Sequence, residues 1–189
     1  MDGLTETPEL PEVSFPDVTE DKWFYEGVMY AAQHGYMEGL TDGTFAPAET
    51  MTRAQLVQIL YAMASKPEVE ITDKFSDVKA GQWFAAAASW AVEEGITAGV
   101  GNGTFAPNAE ITRQEIAVML HAAAGKAAAE GELNFADHAD IDTWAVEAVK
   151  WAVENGLMKG VSGGRFAPKS LATRAEAAVI VMNLDKLGK

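Results

Sequence analysis

Cysteine is absent from this chain, which excludes a disulfide framework and thiolate chemistry. Basic side chains are scarce. The 14 Lys and Arg face 28 Asp and Glu, a formal charge of −14, and such a field repels nucleic acid and anionic lipid at long range. No apolar run approaches the roughly 20 residues that a membrane-spanning helix requires, so membrane insertion is not expected. Only three histidines occur, His34, His121 and His138, and they fall at non-equivalent places with no nucleophile, base or metal constellation around them. The expectation is no catalysis, no cofactor and no metal. Met1 to Val13 has neither a basic flank nor an apolar core, so an exported protein is read here as a fragment without its signal sequence. What remains is ample for folding: 48% of the 189 residues are hydrophobic and 22% are charged, ordinary values for a chain with a buried core.

A period near sixty residues organises the sequence. Phe15-Pro16-Asp17-Val18, Phe75-Ser76-Asp77-Val78 and Phe135-Ala136-Asp137-His138 open three units, with Trp23, Trp83 and Trp144 following. Gly35, Gly95 and Gly156 each lie 17 residues before Thr52, Thr112 and Thr173, so every unit has one loop length and, by expectation, one loop fold. Each unit reads as helix, long loop, helix. Trp83, Ala87, Ala88, Trp90 and Ala91, with Trp144, Ala148, Val149, Trp151 and Ala152, make helical stripes that are expected to be core. The apolar residue after each stop glycine predicts a left-handed C-terminal cap. Such short helices cannot bury both faces alone, so the units must pool them into one body.

Thr52-Arg53-Ala54-Gln55, Thr112-Arg113-Gln114-Glu115 and Thr173-Arg174-Ala175-Glu176 open the second helices. Threonine followed three residues later by Gln or Glu is a capping box. The arginine between them is unexplained by capping, because a cation in the first turn opposes the helix dipole. A guanidinium beside free helix-start N–H groups predicts a carboxylate or phosphate ligand. Upstream, Phe-Ala-Pro predicts an extended approach to the threonine, and Asp42-Gly43 and Asn102-Gly103 predict tight turns. Gly39, Gly99 and Gly160 are candidates for close backbone approach to a ligand.

Taken together, Phe-x-Asp-Val, the tryptophan after it, the Gly-stopped helix, Asp-Gly-Thr-Phe-x-Pro and Thr-Arg-Ala-Glu resemble the S-layer homology domain in three consecutive copies over roughly Phe15 to Leu187. The units are drawn as 15–74, 75–134 and 135–189, with 1–14 as a linker or tail. The resemblance implies an all-α fold of three helix-loop-helix repeats in one pseudo-threefold body, with a central helical bundle and projecting lobes. It also implies a non-catalytic anchor at the bacterial cell surface, linked covalently to a cargo domain. The implied partner is a secondary cell-wall polysaccharide bearing a pyruvate ketal on N-acetylmannosamine, held in grooves between repeats. Arg53, Arg113 and Arg174 match the family's arginine and would grip the ketal carboxylate, each contact contributing roughly 1.5 to 3 kcal/mol where water is excluded. Three grooves on one body would add avidity. These arginines lie outside the apolar stripes, so replacing them with alanine is expected to leave folding unchanged.

The copies are not identical. The third reads Ser162-Gly163-Gly164-Arg165 in place of the Asp-Gly-Thr turn, and Lys159 stands where the first has Glu38, so the third groove is expected to favour an anion on charge alone. Trp23, Trp83, Trp144, Trp90 and Trp151 are candidates for stacking on sugar faces. The competing reading is a protein-binding or self-assembling module in which Trp90, Trp151 and Tyr30 form the docking surface. A calcium loop is disfavoured, because Gly39 to Phe45 supplies one Asp and its third counterpart none.

Overall fold

Each second helix starts at the arginine after its threonine. In the computed structural model, which describes residues 10–188, the helices are α1 (Tyr25–Gln33), α2 (Arg53–Met63), α3 (Ala85–Glu93), α4 (Arg113–Ala123), α5 (Val146–Glu154) and α6 (Arg174–Leu187), with a short 3-10 turn at His138–Asp140. Among the described residues there are isolated β-bridges but no strands, and the fold is all-α. The tail drawn at 1–14 lies outside the described residues as far as position 9.

The local signals act as the sequence predicts. All three capping boxes form: the Thr52, Thr112 and Thr173 hydroxyls accept from the amides of Gln55, Glu115 and Glu176, whose side chains accept from the threonine amides in return. Gly35, Gly95 and Gly156 adopt φ of +68°, +69° and +69°. The amide after each glycine donates five residues back, Tyr36 to Ala31, Ile96 to Ala91 and Leu157 to Ala152, which completes a Schellman stop.

Pairing of the helices crosses the repeat boundaries. α2 packs on α3, α4 on α5, and α6 on α1, so the second helix of each repeat meets the first helix of the next and the last pair closes the chain on itself. The α1–α6 crossing is close: a Cβ at Gly27 would lie 2.6 Å from Val179 Cγ2 and 2.8 Å from its Cα. The three helix starts are also tied in a cycle. Met51 N–H donates to Ala172 O (2.9 Å), Ala172 N–H to Ile111 O (3.0 Å), and Ile111 N–H to Met51 O (2.9 Å). All three residues are buried, so their amides need these protein acceptors.

Phe45, Phe105 and Phe166 are fully buried, each contributing roughly 1.5 to 3 kcal/mol of burial. They pack at a tilt against Phe15, Phe75 and Phe135 at centroid distances of 5.4, 5.7 and 5.5 Å. Gln114, where the other copies have alanine, is buried and joins the second repeat to the third: its amide donates to Asp142 Oδ2 (2.6 Å) while its carbonyl accepts from Asp142 N (3.1 Å).

Two expectations fail. Trp83 and Trp144, assigned to the core stripes, precede their helices and are 61% and 56% exposed. The alanine of each Phe-Ala-Pro is not extended: Ala46, Ala106 and Ala167 have φ of +55°, +56° and +56°. The cause is a carboxylate far upstream. Asp17 accepts from the amides of Phe45 and Ala46 (2.9 and 2.8 Å), Asp77 from Phe105 and Ala106 (2.8 Å each), and Asp137 from Phe166 and Ala167 (2.7 and 2.8 Å). Two adjacent amides turned onto one anion offset the left-handed backbone, which costs an alanine on the order of 1–2 kcal/mol.

Candidate binding grooves

The predicted free N–H groups at the helix starts are not free. Arg53 and Ala54 amides donate to Ala109 O and Pro107 O, Arg113 and Gln114 amides to Ser170 O and Pro168 O, and Arg174 and Ala175 amides to Glu49 O and Pro47 O. The Phe-Ala-Pro segment of a neighbouring repeat therefore fills the place a bound anion would take.

The arginines also have internal partners. Nε of Arg53, Arg113 and Arg174 donates to the carbonyls of Phe105, Phe166 and Phe45 at 2.9, 2.9 and 2.8 Å, and the guanidinium carbons lie 5.3, 5.0 and 4.6 Å from the centroids of the same rings. Each residue is about 95% buried. Burial lowers the Arg53 and Arg174 pKa values, opposed by Glu115 and Asp77 around the first and by Glu49 and Asp17 around the second. Their presence in the first turn is thus explained by hydrogen bonding and cation–π contact between repeats. Alanine there would strip a buried carbonyl of its donor, so the expectation of unchanged folding does not hold.

Each guanidinium nevertheless borders a groove. The Arg174 groove, of about 400 Å³, is lined by Gly39, Leu40, Gln55 and Trp83 among others. The Arg53 groove, about 420 Å³, contains Gly99, Val100, Glu115 and Trp144, and the Arg113 groove, about 520 Å³, contains Gly160, Val161, Glu176 and Trp23. In every case one repeat supplies the arginine, a second the glycine loop and helix face, and the third the tryptophan. Trp23, Trp83 and Trp144 are the most exposed large apolar side chains among the described residues, at 67%, 61% and 56%.

The other candidates separate from these. Trp151 is buried and packs 5.3 Å from His121, and Trp90 is half-buried 5.6 Å from Tyr61; neither lines a groove of an arginine. Tyr30 is half-buried beside His34 and donates to Asp185, so the docking surface drawn from Trp90, Trp151 and Tyr30 is not an exposed patch. Gly39, Gly99 and Gly160 lie in the grooves, but their bareness serves the protein first. A Cβ would come 2.5, 2.6 and 2.7 Å from Cε1 of Phe15, Phe75 and Phe135. Asp42 holds its turn by accepting from Thr44 N (2.9 Å) and Thr44 Oγ1 (2.7 Å), and among the described residues no group of three His, Asp or Glu side chains is placed to hold a metal.

Asp17, Asp77 and Asp137 were visible in the sequence only as repeat markers. They fix the carbonyls that hold the arginines. Burial raises the Asp77 and Asp137 carboxyls, but the amide pairs Phe105–Ala106 and Phe166–Ala167 outweigh it and bring both below the usual aspartate value.

The profile of the S-layer homology domain matches residues 14–57, 74–117 and 134–178, and the chain belongs to that family. It is similar to an exoglucanase, XynX, of Acetivibrio thermocellus, at 34% identity over 91% of this chain and 16% of that protein. A surface-layer 125 kDa protein of Lysinibacillus sphaericus is 35% identical over 87% of this chain and 14% of its own length. An amylopullulanase of Thermoanaerobacterium thermosulfurigenes is 34% identical over 90% and 9%. The chain therefore spans less than a fifth of these relatives. A segment shared by glycan-degrading enzymes and surface-layer proteins is a separate, non-catalytic part of each, and this chain is a cell-surface anchoring module of bacterial type. No helix among the described residues is long and apolar enough to cross a membrane.

Proposed function

We propose that this module anchors a covalently linked cargo domain by holding an anionic, pyruvylated secondary cell-wall polysaccharide in the grooves at Arg53, Arg113 and Arg174. The observation that carries the reading is the recurrence in each groove of a guanidinium and an exposed tryptophan, Arg174 with Trp83, Arg53 with Trp144 and Arg113 with Trp23. A pyruvylated sugar presents both a carboxylate and an apolar ring face, and these match a fixed cation and an indole. The loops at Gly39, Gly99 and Gly160 form the floor against which the sugar would lie. An acidic protein gains little from long-range attraction to an anionic polymer, so binding would rest on these short-range contacts and on simultaneous use of more than one groove.

The test is co-sedimentation of the chain with purified cell-wall glycan before and after mild acid removal of ketal pyruvate, with Trp23→Ala, Trp83→Ala and Trp144→Ala compared singly and together. Retention is expected to fall on pyruvate removal and stepwise across the tryptophan variants. Retention unchanged by pyruvate removal would overturn the carboxylate contact.

A further inference from the structure

Every helix has its principal packing against a helix of another repeat: α2 on α3, α4 on α5 and α6 on α1. The arginines follow the same rule, Arg53 reaching Phe105 O and Arg174 reaching Phe45 O and Glu38 O. So do the amide bonds from Met51 to Ala172 O and from Ile111 to Met51 O. The first repeat is thus held in its place by non-covalent contacts and by one connection, residues 64–74. A first repeat from a second copy of the chain would satisfy the same contacts equally well.

That connection is the weaker of the two between repeats. Both linkers leave their helix by the same left-handed stop, in which the amide of Lys66 donates to Tyr61 O and that of Lys126 to His121 O. The second linker places Gly125 (φ +80°) and Lys126 (φ +57°) there, whereas the first places Ser65 (φ +64°) and Lys66 (φ +49°). A serine in the position that suits glycine is strained, and Lys66 adds to the strain because the residue before a proline, here Pro67, prefers an extended backbone. The first linker is also tied more loosely. Tyr61 Oη donates to Pro67 O (2.5 Å) and Thr72 N to Ser89 Oγ (3.0 Å), while Ile71 is 41% exposed. In the second, His121 Nε2 lies 2.7 Å from Ala127 O, the amides of Ala129 and Glu130 donate to Glu147 and Glu154, and Ala129 and Leu133 pack against the core.

Helix α6 shows the relaxed alternative. The positions equivalent to Ser65 and Lys66 are Lys186 and Leu187, and with no following repeat to return to among the described residues, both are helical.

We infer that this chain exchanges its first repeat with a second copy of itself, giving a dimer of two three-repeat bodies in which residues 64–74 run straight from one body to the other. Opening the linker releases the left-handed pair at Ser65 and Lys66 in each chain and gives up the bond from Tyr61 to Pro67. The helix, arginine and amide contacts of the first repeat re-form between chains. Such a dimer carries twice the grooves of one chain, and if these hold the glycan proposed above it spans more of a repeated polymer. The exchange itself does not depend on that reading.

In the test, the full chain is unfolded in urea, refolded over a range of micromolar concentrations and resolved by size-exclusion chromatography with light scattering. A species of twice the chain mass is expected to grow with concentration and, once formed, to persist on dilution, because its reversal requires a repeat to leave its body. Ser65→Gly, which gives the first linker the stop residue of the second, should lower the dimerisation constant about tenfold or more, one relieved turn in each chain. Lys66→Pro forbids the turn and should make the dimer predominant. Chains labelled with 15N and with 13C, refolded as an equal mixture, should show nuclear Overhauser contacts between chains in the dimer, from the Gly27 amide of α1 to the Val179 methyls of α6, which touch at that crossing. A parent chain that stays monomeric at every concentration, a dimer without those contacts between chains, a folded Lys66→Pro chain that is monomeric, or a dimer fraction unaltered by Ser65→Gly would each overturn the inference. Should Lys66→Pro fail to fold, the parent chain and Ser65→Gly decide it.

Discussion

Arg174 and Phe45 are joined twice across 129 residues: the guanidinium donates to the phenylalanine carbonyl at 2.8 Å and lies 4.6 Å from the centroid of the same ring. Arg53 with Phe105 and Arg113 with Phe166 repeat the arrangement. Each repeat thereby holds its neighbour's loop, and the last holds the first.

Arg174→Ala is expected to destabilise the fold by roughly 2 to 3 kcal/mol, because a charged donor is removed from a buried carbonyl. The urea midpoint at constant slope reports it. Arg174→Lys should recover only part of the loss, since one ammonium cannot serve the Phe45 and Glu38 carbonyls in the same fork geometry. A change below about 0.5 kcal/mol for the alanine variant would show the staple to be dispensable.

Asp77 and Asp137 have carboxyls held below their ordinary value by paired amides. A folded-state pKa below the unfolded one adds stability that is fully present above about pH 4 and disappears as pH falls through the depressed value. Urea midpoints should therefore decline from pH 5 to pH 3. Asp77→Asn should lower the midpoint at pH 5 and flatten its decline, because an amide supplies one acceptor oxygen where two are needed. A pH dependence identical to the parent's would separate the loop from this carboxylate.

Gly27→Ala and Gly39→Ala are expected to destabilise by about 1 to 3 kcal/mol each through overpacking, but at different places. The first pushes α1 from Val179 and the second pushes Phe15 from the loop. Hydrogen exchange resolves them: Gly27→Ala should speed exchange in α1 and α6, Gly39→Ala in the loop from Gly39 to Phe45. Uniform acceleration in both would mean that the chain opens only as a whole.

Trp23→Ala, Trp83→Ala and Trp144→Ala should leave thermal unfolding within about 0.5 kcal/mol of the parent, since these indoles are mostly exposed. Trp151→Ala should cost about 3 to 5 kcal/mol, as expected of a buried aromatic side chain. Calorimetry on the four variants distinguishes groove tryptophans from packing tryptophans. A large loss at Trp83 would place it in the core after all.

Features that operate within a few residues were legible in the sequence. Thr52 with Gln55, and Gly35 with Tyr36, form the cap and stop that their spacing predicts. What the sequence concealed acts across repeats. Phe-x-Asp-Val reads as a repeat marker, yet the amides that Asp77 binds lie 28 and 29 residues away, and no periodicity reveals them. The same distance explains the misread alanines, because the carboxylate that turns Ala106 onto itself outweighs the preference of a residue before proline for an extended backbone. Trp83 has the hydrophobic spacing of a core position, but it precedes the helix and belongs to a groove whose other walls come from the first and third repeats.

The circuit of amides through Met51, Ala172 and Ile111 makes the assembly indivisible. A two-repeat truncation would break it and deprive one arginine of the loop it clasps, so anchoring strength cannot be tuned by deleting copies. Cyclic permutation is different: each segment keeps its direction and those bonds do not depend on which repeat comes first, and because α1 already rests on α6, opening the chain between two repeats and bridging its original ends preserves the same lock.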